Sequence, residues 1–545
     1  MLPMIDIIVM GIYLTGVVLF GCWFYRKSAN TSAFMTACGS LPAWAVGLSI
    51  FGTYLSSNTF LGVPGKAYSS NWNAFVFSLS LPLAAWLATR FFVPFYRQSG
   101  EVSAYQHLEH RFGSWARTYA VVCYLLTQFA RTGTILFGVS LALSALTGWD
   151  QFTIIVIAGI LITLYTLVGG IEAVIWTDVV QSLVLMSGAL VILALILVGL
   201  PEGPTQVFSL GDSENKFSLG SFQLDFTSSS FWVVLLFGVF INLSNFGIDQ
   251  SFVQRYHTAK TAQDAAKSVW LGALLYIPIS MIFYFIGTSA FAYYHTHPEA
   301  LSDVSKQVAA QQLADEKASA TDADISLRAS QLTDGQIGDK ILPHFIVSKL
   351  PAGIRGLLIA AIFAAAMSSI DTSLNSSATI ILSDVYKRFI HPSAGERESM
   401  IVLYLATLSV GILGTAAAVA LIGVDSILDA WWILSGIFAG GLLGLFLLGM
   451  ISKQAMNRSA SFAVVLGIVA ICWMSLPKLL ELGSGETGEG SLCGLNIPNW
   501  LTNPLHENMT IVIGTLMILI VGLLLAKFFP DKPDLRKIAS QAPDG

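Results

Sequence analysis

Thirteen long apolar runs constrain this chain more than any other feature. They cover approximately residues 4–25, 41–66, 73–96, 117–146, 152–170, 174–199, 230–250, 266–294, 351–386, 399–424, 427–451, 460–477 and 507–529. An α-helix needs about 20 apolar residues to cross a bilayer, and each run comes near that length or exceeds it. The runs are apolar on all sides, which means helices, because only helices and closed barrels satisfy the backbone in lipid. Barrel strands would be short and alternating. Only 11% of the residues are charged, against roughly 25% in soluble domains. That excludes a string of soluble domains, a disordered chain, a secreted disulfide scaffold and a nucleic-acid binder. The expected fold class is an all-α polytopic membrane protein. The net charge of −5 points to no partner, since most charges fall in loops. The five cysteines, Cys22, Cys38, Cys123, Cys472 and Cys493, are odd in number and form no CxxC, so they read as small buried hydrophobes.

The first run is not a signal peptide: it lacks a basic n-region and a small-residue cleavage pattern, and Arg26 and Lys27 follow it. It reads as a retained helix with its N-terminus outside. Threading thirteen spans from there puts Arg26/Lys27, Arg97/Arg111/Arg117, Arg255/Lys260/Lys267, Lys387/Arg388/Arg397, Lys453/Arg458 and the tail Lys532/Arg536/Lys537 on one side. The acidic segments 201–228, 296–345 and 480–504 fall on the other. This is the asymmetry of the positive-inside rule, with a cytoplasmic C-terminus in a cell (inner or plasma) membrane. Residues 1–530 form one transmembrane domain and 531–545 a cytoplasmic tail. Within the segment 296–345, Ser302–Ala320 could form a surface helix, and the segment as a whole reads as a solvated cap.

Two spans are interrupted. Span 41–66 holds Gly47, Gly52, Ser56, Ser57, Asn58, Thr59, Gly62 and Pro64-Gly65; span 230–250 holds Gly238, Asn242, Ser244, Asn245, Gly247 and Asp249. Irregular backbone at mid-depth is tolerated where it lines a cavity. The two spans are numbers 2 and 7, five apart. Equivalent interruptions in two five-helix halves point to a transporter with inverted repeats, 41–199 and 230–451, and a midplane site. Helices 1–26 and 460–529 flank them.

Ionisable groups inside a membrane are costly, so each is a functional candidate: Arg131, Asp178, Asp249 and Asp371. Asp371 follows Ser368 by three on a helix that also places Ser369 and Thr372 on that side. This is a face of hard oxygen ligands, suited to a hard cation, and an unwound span 41–66, with Gly52 and Leu55 near its break, would supply carbonyls. Asp178 is either an ion ligand or an acid at a helix N-terminus. Asp249 either pairs with Arg255, meets water at the inner end, or touches the solute. Arg131, about fourteen residues into its span, needs an anion, from a protein carboxylate or from a solute gripped bidentately.

The sequence resembles the sodium:solute symporters. The resemblance runs from the first span to about residue 460 and includes Ser40-Leu41-Pro42-Ala43-Trp44-Ala45-Val46-Gly47, Gly169-Gly170-Ile171, Trp176-Thr177-Asp178-Val179-Val180-Gln181, Asp249-Gln250 with Gln254-Arg255, and Ala364–Leu382 ending in Ser383-Asp384-Val385-Tyr386-Lys387. It implies the leucine-transporter-type fold of two inverted five-helix repeats. It also implies a first Na+ site on the carbonyls of Gly52, Leu55 and Ala365 and the hydroxyls of Ser368 and Ser369. A second Na+ site, used by members coupled to two ions, would fall on Asp178, Ser368, Asp371 and Thr372. Members with that site usually carry a hydroxyl at the position of Asp371, so its carboxylate could bind sodium or take a proton, and one or two Na+ ions are carried.

The pattern of the sugar-carrying members is poorly kept: Thr59 and Ser78 stand where those have acid and amide groups, although Asn242 matches. Ser56, Thr59 and Arg131 look more like the sialic-acid branch, in which such groups hold the solute's carboxylate. Asn245 completes the expected solute wall, and Phe246 occupies the place of an aromatic lid on the inner side. The resemblance therefore implies a sodium-coupled symporter for a carboxylate-bearing solute such as sialic acid, or alternatively for a neutral sugar or polyol. Its partners are the solute, sodium and the lipid bilayer, not nucleic acid, and it functions as a monomer. No enzyme motif (GxSxG, HExxH, P-loop lysine) is present, so no covalent chemistry is expected.

Overall fold

The computed structural model describes residues 3–24, 28, 30–56, 58–315, 321–424, 427–452, 454–455, 457–484, 491–492, 495–496 and 503–528. Ser57, Arg26, Lys27, Lys453, Cys493, the stretch 316–320 and the tail 529–545 lie outside the described residues. Among the described residues, eleven helices are long and apolar enough to span a membrane, and two shorter apolar ones, Ala43–Tyr54 and Gln151–Leu164, complete the thirteen expected runs. The chain is a multi-pass membrane protein. We refer to the end of the bundle carrying residues 200–230 and 297–350 as the acidic end, and to the opposite one as the basic end.

Both interruptions exist, and each follows from its residues. The helix Ala43–Tyr54 stops at Leu55, whose backbone is extended (φ −89°, ψ 97°). The chain resumes as a wide turn, Asn58–Gly62, and the short helix Val63–Ser69. In the second interrupted span, Phe231–Ile248 stops at Asp249 (φ −74°, ψ 118°), and a new helix, Gln250–Thr258, begins at once. Asp249 caps that helix, its Oδ1 accepting the Ser251 N–H at 2.8 Å. This corrects one expectation. Span 230–250 does not end in a basic loop at Arg255, because Gln250, Ser251, Gln254 and Arg255 lie on a buried helix. Its polar side chains read as loop in sequence but find partners on neighbouring helices.

The long apolar stretch Gln151–Val198 is broken by a kink at Gly170, where φ is +61°. A side chain there would be strained by that backbone, and its Cβ would stand 2.7 Å from the Ser28 hydroxyl, which donates to the Gly169 carbonyl at 2.8 Å. The described parts of the 296–345 segment are helical: Pro298–Asp315, Asp322–Gln331 and Asp334–Lys349. It is more than a solvated cap, since Ile337, Ile341, Leu342, Phe345 and Ile346 of the last helix are buried and Asp339 meets the backbone of Gly65. A two-residue hairpin pairs Ser491–Leu492 with Leu495–Asn496. Cys38 and Cys472 are exposed, not buried. Cys38 lies on the short turn Ala37–Gly39, outside the spans, and Cys472 on the helix Asn457–Ser484, where a membrane helix has a lipid-facing side and an apolar residue is not thereby a core residue.

Candidate functional site

The helix Ile354–Ile380 is the axis of the site. Its 364–380 stretch is wholly buried, so its hydroxyls and carboxylate face neighbouring helices and not lipid. Ser368 donates to Asp178 Oδ1 in a short hydrogen bond. Asp178 Oδ2 accepts from Ser49 at 2.5 Å and from Arg255 Nη2 at 2.9 Å. The Arg255 guanidinium also donates to Ser49 Oγ (2.8 Å), the Ser251 carbonyl (2.6 Å) and Thr372 Oγ1 (2.8 Å). Both members of the Asp178–Arg255 pair are 0% exposed, and such a pair survives burial only when its remaining donors and lone pairs are satisfied. Of the four residues expected at a second ion site, Asp178 and Thr372 therefore bond a guanidinium, and Ser368 bonds Asp178. Asp371 is fully buried one turn further along. Sequence reading put Arg255 in a loop and overlooked Ser49. It also offered Arg255 as a partner for Asp249, whereas Asp249 pairs with Arg131.

Of the other expected ion ligands, Gly52 and Ser368 come close to one another beside the first break. Gly52 packs so closely on this helix that a Cβ would stand 3.5 Å from Ser368 Oγ and 2.8 Å from Ser182 Oγ. The Gly52 carbonyl accepts the Leu55 N–H at 3.0 Å, at the point where the helix ends. Ser369 bonds back to the Ala365 carbonyl at 3.4 Å, a long contact that leaves the hydroxyl little committed. Ser182, 2% exposed, has a hydroxyl with no hydrogen-bond partner among the described residues. Sequence reading passed over it, although it lies one turn from Asp178 on the same face. Among the described residues no group of three or more His, Cys, Asp or Glu side chains could hold a metal. The oxygens present are hydroxyls, carbonyls and single carboxylates, which suit a hard monovalent cation.

A chamber of about 80 Å³ lies beside the first break. Ser56, Thr59, Ser78, Arg131 and Asn245 line it, together with the aromatic residues Tyr54, Phe252, Tyr276, Trp431 and Trp432. Thr59 donates to the Tyr54 carbonyl (2.7 Å), and Ser78 and Ser280 share a hydrogen bond (2.8 Å). Asn242 and Phe246 stand behind this wall. Asn242 accepts from Tyr54 Oη at 3.0 Å and donates to Ser80 at 2.9 Å. Phe246, 0% exposed, packs edge-on against Tyr54 and Phe252, and those two rings face the chamber in its place. The Arg131 guanidinium lies 5.3 Å over the Trp431 ring and 3.2 Å from Asp249. Trp431 and Trp432 were missed because tryptophans at the head of a span read as interfacial anchors.

A second cavity of about 320 Å³ opens towards the acidic end, bordered by Lys66, Asn71, Asn73 and His506. It shares Ala74 and Trp432 with the chamber, and Trp432 stacks on Phe77 between them. The basic end is tied by charge. Glu109 accepts from Arg117 (2.9 Å) and Arg388 (2.7 Å), and Asp384 accepts from Arg117 (2.6 Å) and Ser103 (2.7 Å). Burial pushes the Glu109 carboxyl up, but its hydrogen bond from Arg117 and the nearby Arg388 outweigh that and hold it below the usual glutamate range.

Comparison with known proteins agrees with this geometry. The sodium/sialic acid symporter SiaT of Proteus mirabilis (strain HI4320) is 34% identical over 463 residues, covering 84% of this chain and 87% of that protein. The sodium/sialic acid symporter NanT of Aliivibrio fischeri (strain ATCC 700601 / ES114) is 32% identical over 524 residues, covering 95% and 92%. A Na+-coupled sialic acid symporter solved in a substrate-bound, outward-open state superposes with a TM-score of 0.81 at 30% identity, covering 97% of this chain and 99% of that one. The fold is thus the leucine-transporter type. The sodium:solute symporter family profile matches residues 34–467, and the chain belongs to the sodium:solute symporter family.

Proposed function

We propose that this symporter imports a polyhydroxylated acid of the sialic acid class together with Na+, one molecule at a time, in the chamber beside the first break. The observation that carries this reading is Arg131: a buried guanidinium facing a chamber with Ser56, Thr59, Ser78 and Asn245, in a chain whose relatives include sodium/sialic acid symporters. Arg131 grips the carboxylate, and the hydroxyl and amide groups take the solute's own hydroxyls. The aromatic rings cover its apolar faces. One Na+ lies between the Gly52, Leu55 and Ala365 carbonyls and the Ser368 and Ser369 hydroxyls. A second, if carried, uses Asp371 with Asp178, Ser368 and Thr372, where Arg255 already neutralises Asp178.

The acidic end faces outside, as the basic loops at the opposite end favour, so the N-terminus is external and the C-terminus cytoplasmic. The functional unit is the monomer. Sodium pins the first break against the helix Ile354–Ile380 and completes the solute chamber. The ion thereby favours the solute-competent state, and by reciprocity the solute tightens the ion. The repeats 41–199 and 230–451 then rock around the site, driven by the sodium gradient and by a potential worth about 2.3 kcal/mol per charge per 100 mV.

Sodium-dependent binding screened across N-acetylneuraminic acid, hexoses, monocarboxylates and vitamins tests this reading. We expect the sugar acid to bind most tightly and Arg131→Ala to abolish that binding. Tight hexose binding that survives Arg131→Ala would replace it with the neutral-sugar alternative.

A further inference from the structure

Asp249 sits where two features coincide. It is the break of the second interrupted helix, ending Phe231–Ile248 and capping Gln250–Thr258. It is also the counter-ion of Arg131, with Nη2 of the arginine 3.2 Å from Oδ2. Among the described residues, the other terminal nitrogen, Nη1, reaches only the Ser251 hydroxyl, at 3.4 Å. The pair is therefore a single-point contact and not the two-pronged fork that arginine makes with a well-placed carboxylate. Asp249 has further donors: its Oδ1 takes the Ser251 N–H at 2.8 Å and, in a short hydrogen bond, the Ser251 hydroxyl.

The pair also divides two spaces. Arg131 lines the solute chamber and, on its other side, a small cavity of about 30 Å³ bordered by Tyr105, Tyr124 and Ser244. Asp249 lines that second cavity and not the chamber. Arg131 is 7% exposed and Asp249 is 7% exposed. A guanidinium so placed holds an anion at all times, because an unpaired buried charge is strongly unfavourable.

We propose that Asp249 is the resident stand-in for the solute's carboxylate. It pairs with Arg131 in the solute-free protein and gives Arg131 up when the acid binds. The inference rests on the proposed docking of a carboxylate on Arg131. The exchange keeps a buried guanidinium paired throughout, and it favours the incoming acid because a fork replaces a single contact. Asp249 keeps its bonds from the Ser251 N–H and hydroxyl, which then offset its charge alone. Since Asp249 caps the break, the exchange is felt at once by the second interrupted helix. Solute binding is thereby linked to movement of that helix, and only a solute with a carboxylate can make the exchange. On the far side, re-pairing of Asp249 with Arg131 expels the acid.

Asp249→Asn tests this, because asparagine caps a helix as well as aspartate does while removing the charge. In purified full-length protein with saturating sodium, N-acetylneuraminic acid should bind the variant about tenfold more tightly than the parent. Its methyl ester should bind both alike, Asp249→Glu should resemble the parent, and maximal uptake of the acid by Asp249→Asn should fall. Ser251→Ala should act in the opposite sense: by removing the hydroxyl that then offsets the charge of Asp249, it should weaken acid binding about threefold. Should Asp249→Asn fold poorly, that second variant decides alone. Unchanged or weaker acid binding by Asp249→Asn, or unchanged binding by Ser251→Ala, overturns the inference, and leaves the carboxylate reading standing if Arg131→Ala still abolishes binding. Equal binding of acid and ester by the parent, insensitive to Arg131→Ala, sinks the carboxylate reading and this inference together.

Discussion

Ser369→Ala separates ion binding from folding more cleanly than any other single change. The Ser369 hydroxyl makes one hydrogen bond, to the Ala365 carbonyl of its own helix at 3.4 Å, long by the standard of hydroxyl donors. Removing it costs little stability, and alanine is the better helix former. Ser368 differs, since its hydroxyl also holds Asp178, so Ser368→Ala would mix ion loss with damage to the buried Asp178–Arg255 pair. The proposed first site has five oxygens, and Ser369 supplies one. Hydrogen bonds to charged groups are worth about 1.5–3 kcal/mol. A neutral oxygen bound directly to Na+ falls in a similar range, so its loss should weaken sodium binding about 10- to 100-fold at about 1.4 kcal/mol per decade. The assay is the sodium concentration that gives half-maximal solute binding in detergent-purified protein, alongside the thermal unfolding temperature. The expected result is a half-saturation shift of at least about tenfold with unfolding within a few degrees of the parent. An unchanged sodium requirement in a well-folded variant would refute the placement of the first ion.

Asp178→Asn leaves the fully buried Arg255 without its carboxylate, which should cost about 3–5 kcal/mol of stability; thermal unfolding as late as in the parent would contradict the role of that pair. Gly170→Ala places a side chain at φ +61° against Ser28 and Phe34. It should cost at least about 1 kcal/mol, read as lower yield and earlier unfolding, while a wild-type profile would show that the kink tolerates a Cβ. The basic-end cluster sets a pH dependence. The folded Glu109 carboxyl titrates below its usual range, so its stabilisation is complete above the unfolded value of about 4.3 and is lost as pH falls through the lower folded value. Glu109→Gln should flatten unfolding temperature against pH below about 4.3, and a slope identical to that of the parent would remove Glu109 from the cluster.

Much of this architecture is legible in the sequence for a physical reason. Lipid forces each span to be long, apolar and helical, so the thirteen runs correspond, among the described residues, to eleven helices of spanning length and two shorter apolar ones, and Asn242 and Asp249 mark an interruption that small-residue packing alone would not require. The Ser368–Thr372 face is legible because a helix fixes i, i+3 and i+4 neighbours. What the sequence hides is pairing across distance. Arg255 looks like a loop residue beside His257 and Lys260, and its partner Asp178 is 77 positions away. Nothing local shows that Arg131 takes Asp249, or that Tyr54 and Phe252, not Phe246, face the chamber beside the first break. Trp431 and Trp432 were hidden by a second meaning, since the same residues at the head of a span serve equally as membrane anchors.

Uptake of radiolabelled N-acetylneuraminic acid into proteoliposomes containing the purified chain tests the central claim most directly, with inward sodium gradients compared against equal sodium on both sides. The account predicts concentrative uptake that needs the gradient, grows with an interior-negative potential and disappears in Arg131→Ala. Uptake that is indifferent to sodium, or a sodium flux that no solute stimulates, would contradict it.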